Sequence, residues 1–137
     1  MIVNLVDKDV TGSFELKGGG KVHLRLRNEQ DEKEIRAACY VTVAEYPLLK
    51  DPVDGKEKYQ RFESEKVNIE LLFEMSWDKN IVGWEDLFDK NEKPIPVTKE
   101  NKILLMKLVP EFREAVTEGL NALKEMEQKK AEELPKN

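Results

Sequence analysis

Apolar and polar positions alternate with a period of two between residues 13 and 27. Phe14 and Leu16 alternate with Ser13 and Glu15. After Lys17-Gly18-Gly19-Gly20-Lys21, Val22, Leu24 and Leu26 alternate with His23, Arg25 and Arg27. Successive side chains of a strand point to opposite faces, so each run predicts a strand with one buried face. The glycine-rich link predicts a hairpin between them. Residues 2–6 predict a short further strand.

From Asn28 the period becomes helical. Asn28 is a helix-capping residue type, and Glu29, Asp31 and Glu32 place carboxylates in the first turn, where the helix dipole favours them. Ile35, Ala38, Cys39, Thr42 and Tyr46 recur at helical spacing, which predicts one helix that Pro47 ends. Residues 47–61, with Asp51-Pro52 and Asp54-Gly55 among charges, predict a loop. Phe62, Ile69, Leu72, Phe73, Ser76 and Trp77 predict a second helix over residues 62–78, widened by Val67, Leu71 and Met75. Residues 81–87 predict a strand or extended segment, and residues 89–92 a turn. Pro94 and Pro96 hold residues 93–97 extended. Thr98 is positioned to cap a third helix carrying Ile103, Leu104, Leu105, Met106 and Leu108. Pro110 predicts the start of a fourth, with Phe112, Val116, Gly119, Leu120, Leu123 and Met126 as its stripe. Beyond Lys124 apolar residues thin out, which predicts a charged tail over 124–137 that frays before Pro135.

These elements predict an α+β fold: an N-terminal β-hairpin or small antiparallel sheet packed with about four α-helices, the C-terminal half being helical. A length of 137 residues fits a single domain over 1–137, β-rich in 1–27 and mainly helical in 28–123. Charged residues make up 37% of the chain, against about 25% in ordinary globular domains, so one modest core sits under a heavily solvated surface. The net charge of −5 repels phosphate backbones and argues against nucleic acid as a partner. No apolar run approaches the roughly 18 residues that suggest a membrane span. The first residues lack a basic, then apolar, leader pattern, and a lone cysteine cannot form an internal disulfide; both lead us to expect a cytoplasmic protein.

Candidate chemistry is sparse. Gly18-Gly19-Gly20-Lys21 fails as a phosphate loop, because Glu15 stands where the first glycine is needed, Val22 where a hydroxyl is needed, and a strand follows. His23, the only histidine, falls on the exposed hairpin face. Cys39 falls on an apolar helix stripe, where thiols are inert packing groups, so a Cys39–His23 nucleophile pair is a weak reading. Lys17, Lys21, His23, Arg25 and Arg27 form a basic row without interleaved aromatics, which reads as a solvated face. Asp86, Asp89 and Asn91 resemble a calcium loop, but counting from Asp89 places Pro94 where a glycine must turn the chain. Neither a metal nor a cofactor is expected. Trp77 and Trp84 read first as core, and second as partner anchors, since tryptophan is enriched at interface hot spots. Trp84 is the stronger anchor candidate because Gly83 beside it could leave its ring accessible. Residues 126–134 read as a frayed helix end, or as an arm that orders on a partner.

Residues 81–101 carry the most specific pattern. Ile81-Val82-Gly83-Trp84, then Leu87 and Asp89, then a polar turn, lead into Pro94-Ile95-Pro96-Val97-Thr98 and Glu100-Asn101 before a leucine-rich helix. This pattern resembles small proteins of the tail-assembly-chaperone type, encoded in the tail modules of long-tailed phages and prophages. The likeness covers mainly residues 69–123, with support from the hairpin and acidic helix start at 13–35. The chain departs from it in two places: the turn at 89–92 lacks glycine, and the segment at 48–61 is long and charged. The resemblance implies a non-enzymatic accessory protein that binds tape-measure or tail-tube proteins through an apolar groove or helix face and keeps them soluble. Trp84, Trp77, Leu123 and Met126 are the expected partner-binding residues. Self-association is left open. The alternatives are a structural part of the tail or neck, and a small enzyme subunit of unknown substrate.

Overall fold

In the computed structural model, which describes residues 9–133, the glycine-rich link turns the chain back on itself. The strand expected at residues 2–6 lies outside the described residues. Strand β1 (Thr11–Glu15) pairs antiparallel with β2 (Lys21–Arg25), with Phe14 opposite Val22 and Gly12 opposite Leu24. Gly20 at φ 92° has the left-handed backbone that glycine adopts freely, and a β-carbon there would stand 2.9 Å from the Glu85 carbonyl oxygen.

Helix α1 (Glu29–Cys39) begins at a reciprocal cap. The Asn28 side chain accepts from the Asp31 amide at 2.9 Å, and the Asp31 carboxylate accepts from the Asn28 amide at 3.0 Å. Asp31, Ile35 and Cys39, one turn apart, are its buried residues. The helix expected to continue to Tyr46 stops at Cys39, and β3 (Tyr40–Glu45) follows directly. Val41, Thr42 and Val43 are β-branched and suit a pleated strand, and pairing with residues 62–67 decides the outcome over the helical spacing.

Residues 47–61 are not a simple loop. They contain β4 (Leu48–Lys50) and β5 (Glu57–Tyr59), an antiparallel pair with Leu48 opposite Tyr59. The turn at Asp51, Pro52 and Gly55 falls where the sequence places it: the Asp51 amide donates to the Lys56 carbonyl at 2.8 Å, and Gly55 adopts φ 70°. Strand β6 (Phe62–Val67) then pairs with β3 along its whole length, from Tyr40 opposite Val67 to Glu45 opposite Phe62. Residues 62–67, expected to be helical, are therefore strand, and Phe62 is exposed. The segment 40–67 thus forms a β-arm standing out between two helices.

Asn68 caps α2 (Ile69–Asn80) by accepting from the Leu71 amide at 3.1 Å, and β7 (Ile81–Glu85) continues from its end. β7 completes a three-stranded sheet in the order β1-β2-β7, with Trp84 opposite Val22. Thr98 caps α3 (Lys99–Leu108), and α4 (Pro110–Glu133) starts at Pro110, both as the sequence indicates. Phe112, Val116, Gly119 and Leu123, at helical spacing, form the buried stripe of α4 against the sheet. The core joins Val22, Leu24, Ile81 and Trp84 of the sheet to Phe112, Val116 and Leu123 of α4 and Met106 of α3. The result is an α+β fold with a helical C-terminal region. Residues 124–130 of α4 are exposed, as expected of a charged helix end. Among the described residues, no helix is long and apolar enough to cross a membrane.

Candidate functional site

The Trp84 segment organises one end of the molecule. Trp84 is 8% exposed and meets Phe112 edge to face, with ring centroids 5.8 Å apart. Its indole Nε1 donates to the Ile95 carbonyl at 2.9 Å. Between these two residues the chain makes a tight excursion. The Asp89 carboxylate accepts from the amides of Asn91 at 2.8 Å and Lys93 at 3.1 Å, and the Ile95 amide donates to the Leu87 carbonyl at 2.9 Å. Asp86 and Glu92 take left-handed backbone, with φ of 57° and 61°. Thr98 and Asn101 then fasten the start of α3: Thr98 Oγ1 accepts from the Asn101 amide, and Asn101 Nδ2 donates to the Pro96 carbonyl at 2.9 Å.

This scaffold leaves two apolar hollows on either side of the α3–α4 junction. One, of about 530 Å³, lies between the glycine turn after β1 and the start of α4, with Leu16, Leu87, Leu105, Val109 and Phe112 in its wall. The other, of about 330 Å³, lies between Ile95, Pro96 and the last turn of α3, with Leu104, Leu105, Leu108 and Val109 in its wall. Leu105 and Val109 belong to both, so the two hollows adjoin across a shared ridge along an α3–α4 groove. Leu108 is 72% exposed and Leu104 50%. Lys17, Glu111 and Asp89 supply charge at the margins.

The expected partner residues divide sharply. Trp84 and Leu123 are core residues, Leu123 being fully buried, so neither is presented on the surface. Gly83 does not expose the Trp84 ring, because Gly83 is itself buried, with Val97 packed over it. Trp77 is half-buried and stacked on the exposed Phe73, with centroids 5.9 Å apart. Met126 is exposed on α4, one turn beyond Leu123. The structure gathers Trp84, Trp77 and Leu123 around one core and leaves Met126 outside it. Leu104 and Leu108, expected only as part of the apolar content of the third helix, are the exposed groove residues. The run Ile103-Leu104-Leu105-Met106 held the signal, since consecutive apolar residues cannot all lie on one buried helical stripe.

Four members of the basic row on the outer sheet face, Lys17, His23, Arg25 and Arg27, sit beside carboxylates. His23 Nε2 lies 3.3 Å from Glu85, Arg27 Nε 3.0 Å from Glu32, and Lys17 Nζ 3.5 Å from Glu114. Arg25 donates twice to Asp31, at 2.8 and 3.1 Å, which ties the sheet to the start of α1. The Asp31 carboxyl is held below its ordinary range, first by this Arg25 hydrogen bond and then by the Asn28 amide, against the opposing effect of burial. Lys79 reaches both Asp31 and Glu34 from α2. Cys39 and His23 are not brought together: the buried Cys39 thiol faces Met75 Sδ at 3.8 Å, whereas His23 bonds Ser13 at 2.7 Å. Asp89 serves the turn described above, and among the described residues no His, Cys, Asp and Glu cluster could hold a metal ion.

No family model, no curated protein and no solved structure matches this chain.

Proposed function

We propose that this protein is a binding module without catalysis, an accessory factor of phage or prophage tail assembly, and that its α3–α4 groove holds an apolar segment of a tape-measure or tail-tube protein. The observation that carries this reading is the exposure of Leu104 and Leu108 beside two adjoining apolar hollows. Exposed leucines next to a concave apolar surface leave unfavourable hydration that a complementary segment relieves, on the order of 1–2 kcal/mol per leucine covered. The likeness of residues 81–101 to tail-module proteins supports the choice of partner. That segment builds the groove, since Trp84 and Asn101 fix the chain that forms one wall. A net charge of −5 keeps such a complex soluble while its apolar face is occupied.

The test is co-expression of tagged protein with a tape-measure or tail-tube protein from a long-tailed phage. Binding, lost in the L104K/L108K double variant, is the expected result. Absence of binding to both proteins, or binding undiminished by the double substitution, rejects the proposal.

A further inference from the structure

The arm formed by β3 and β6 has two edges of unlike character. Among the described residues, no third strand pairs with either. β6 reads Phe-Glu-Ser-Glu-Lys-Val and carries the charges Glu63, Glu65 and Lys66. β3 reads Tyr-Val-Thr-Val-Ala before Glu45, so its edge is uncharged over residues 40–44 and β-branched at its centre. Protein sheets guard free edges with charges, proline or bulges, because an unguarded edge is a template for another strand. β6 is guarded in this way. β3 is not, and its register with β6 runs unbroken from Tyr40 to Glu45. An isolated two-stranded ribbon is marginal in water and gains from added strands.

We propose that β3 pairs antiparallel with β3 of a second copy of this chain, about a two-fold axis through Thr42, so that two arms make one four-stranded sheet. The proposal is independent of the α3–α4 groove. Antiparallel joining of identical edges requires a two-fold axis perpendicular to the ribbon. That axis leaves each side chain on its own face, so only residues of one face can stand opposite each other. For β3 the register centred on Thr42 sets Thr42 against Thr42, Val41 against Val43 and Tyr40 against Ala44, with no charge in any pair. Centring on Val43 instead sets Val41 against Glu45. On β6, centring on Ser64 sets Glu63 against Glu65, and centring on Glu65 sets it against itself. Cross-strand pairs contribute roughly 0.2–1 kcal/mol each, favourable when apolar and unfavourable when like-charged. The β3 register therefore sums favourable terms where β6 sums repulsions. Val41 is 58% exposed, and the pairing would gather Val41 and Val43 of both copies into one apolar cluster on a single face.

Sedimentation equilibrium of the full chain over a wide concentration range tests this. The expected result is reversible formation of a species of twice the 15.9 kDa chain mass. V41K/V43K and V41E/V43E should each remain monomeric, with unchanged circular dichroism, because neither valine is in the core. An equimolar mixture of the two should recover the dimer, since each lysine then faces a glutamate. Glu63→Lys, on the other edge, should leave the dimer intact. A chain that stays monomeric at all concentrations, including one whose β3 accepts only a strand from another protein, overturns the proposal. So does a dimer that survives V41K/V43K, or a mixture that fails to reassociate.

Discussion

The Trp84 indole and the Ile95 carbonyl, joined by a 2.9 Å hydrogen bond, connect the buried sheet to the wall of the apolar groove. Trp84→Phe keeps most of the ring packing but strands the Ile95 carbonyl. We expect a loss of about 1–2 kcal/mol in urea unfolding. Trp84→Ala also opens a cavity against Phe112 and should cost about 3–5 kcal/mol. Equal stability of Trp84→Phe and the parent chain would mean that the hydrogen bond does not hold the wall.

Gly119→Ala is expected to destabilise the protein although it lies in a helix, where alanine is favoured over glycine by about 1 kcal/mol. A β-carbon at Gly119 would stand 2.7 Å from both Leu24 Cδ1 and Phe14 Cδ2. Leu24 is fully buried and has nowhere to move. Overpacking of this kind costs about 1–3 kcal/mol, which outweighs the propensity gain. Thermal unfolding decides it, and a raised midpoint would show that the helix–sheet contact is looser than the geometry states.

Glu92 adopts φ 61° in the turn at residues 89–92, which contains no glycine. A side chain in left-handed backbone is strained by about 1 kcal/mol or more, a strain glycine does not bear. Glu92→Gly should therefore raise stability, by up to about 1 kcal/mol after the entropy of the added glycine is counted. A lowered unfolding midpoint is the contrary outcome.

Asp31 links stability to acidity. Its carboxyl is depressed in the folded state, chiefly by the Arg25 hydrogen bond, while burial acts in the opposite direction. A depressed carboxyl stabilises the fold above its unfolded value, 3.8, and that contribution disappears as pH falls through the lower folded value. Asp31→Asn should cost about 2–3 kcal/mol near neutrality, as expected for lost charged hydrogen bonds. The gap between parent and variant should narrow below about pH 4. A gap independent of pH would assign the loss to packing rather than to charge.

Leu123 and Leu108 separate core from groove. Leu123→Ala should cost about 2–5 kcal/mol, and Leu108→Ala less than about 0.5 kcal/mol, in the same unfolding assay. Partner binding should show the reverse order, with Leu108→Ala the more damaging once stability is matched. Comparable losses of stability from both would place Leu108 in the core and remove it from the groove.

Local signals wrote much of this fold into the chain. The hairpin follows from strict alternation over residues 13–27 and a turn that needs glycine at position 20. Asn28, Thr98 and Pro110 mark helix starts because each satisfies, or lacks, a backbone donor at a first turn. The stripe Phe112, Val116, Gly119 and Leu123 follows from helical periodicity alone. Residues 40–46 and 62–67 were misleading for a physical reason. Ile35, Cys39 and Thr42 keep helical spacing across the point where α1 ends, and Phe62 and Ile69 keep it across the start of α2. What converts these stretches to strand is their pairing with one another, Tyr40 opposite Val67, and no short window of sequence contains both partners. The groove was hidden likewise. An apolar helix shows that leucines exist, but whether Leu104 or Leu105 faces inward depends on how α3 meets α4 and the Trp84 segment.

The amino-acid order by itself determined the hairpin, the caps, the periodic stripe of α4 and the acidic surface, because each arises between residues a few positions apart. The tertiary structure decided between core and anchor for Trp84, left Leu104 and Leu108 exposed, and made residues 40–67 a β-arm. These outcomes depend on contacts between segments distant in the chain, and packing settles them by choosing which apolar surface the single core has room to cover.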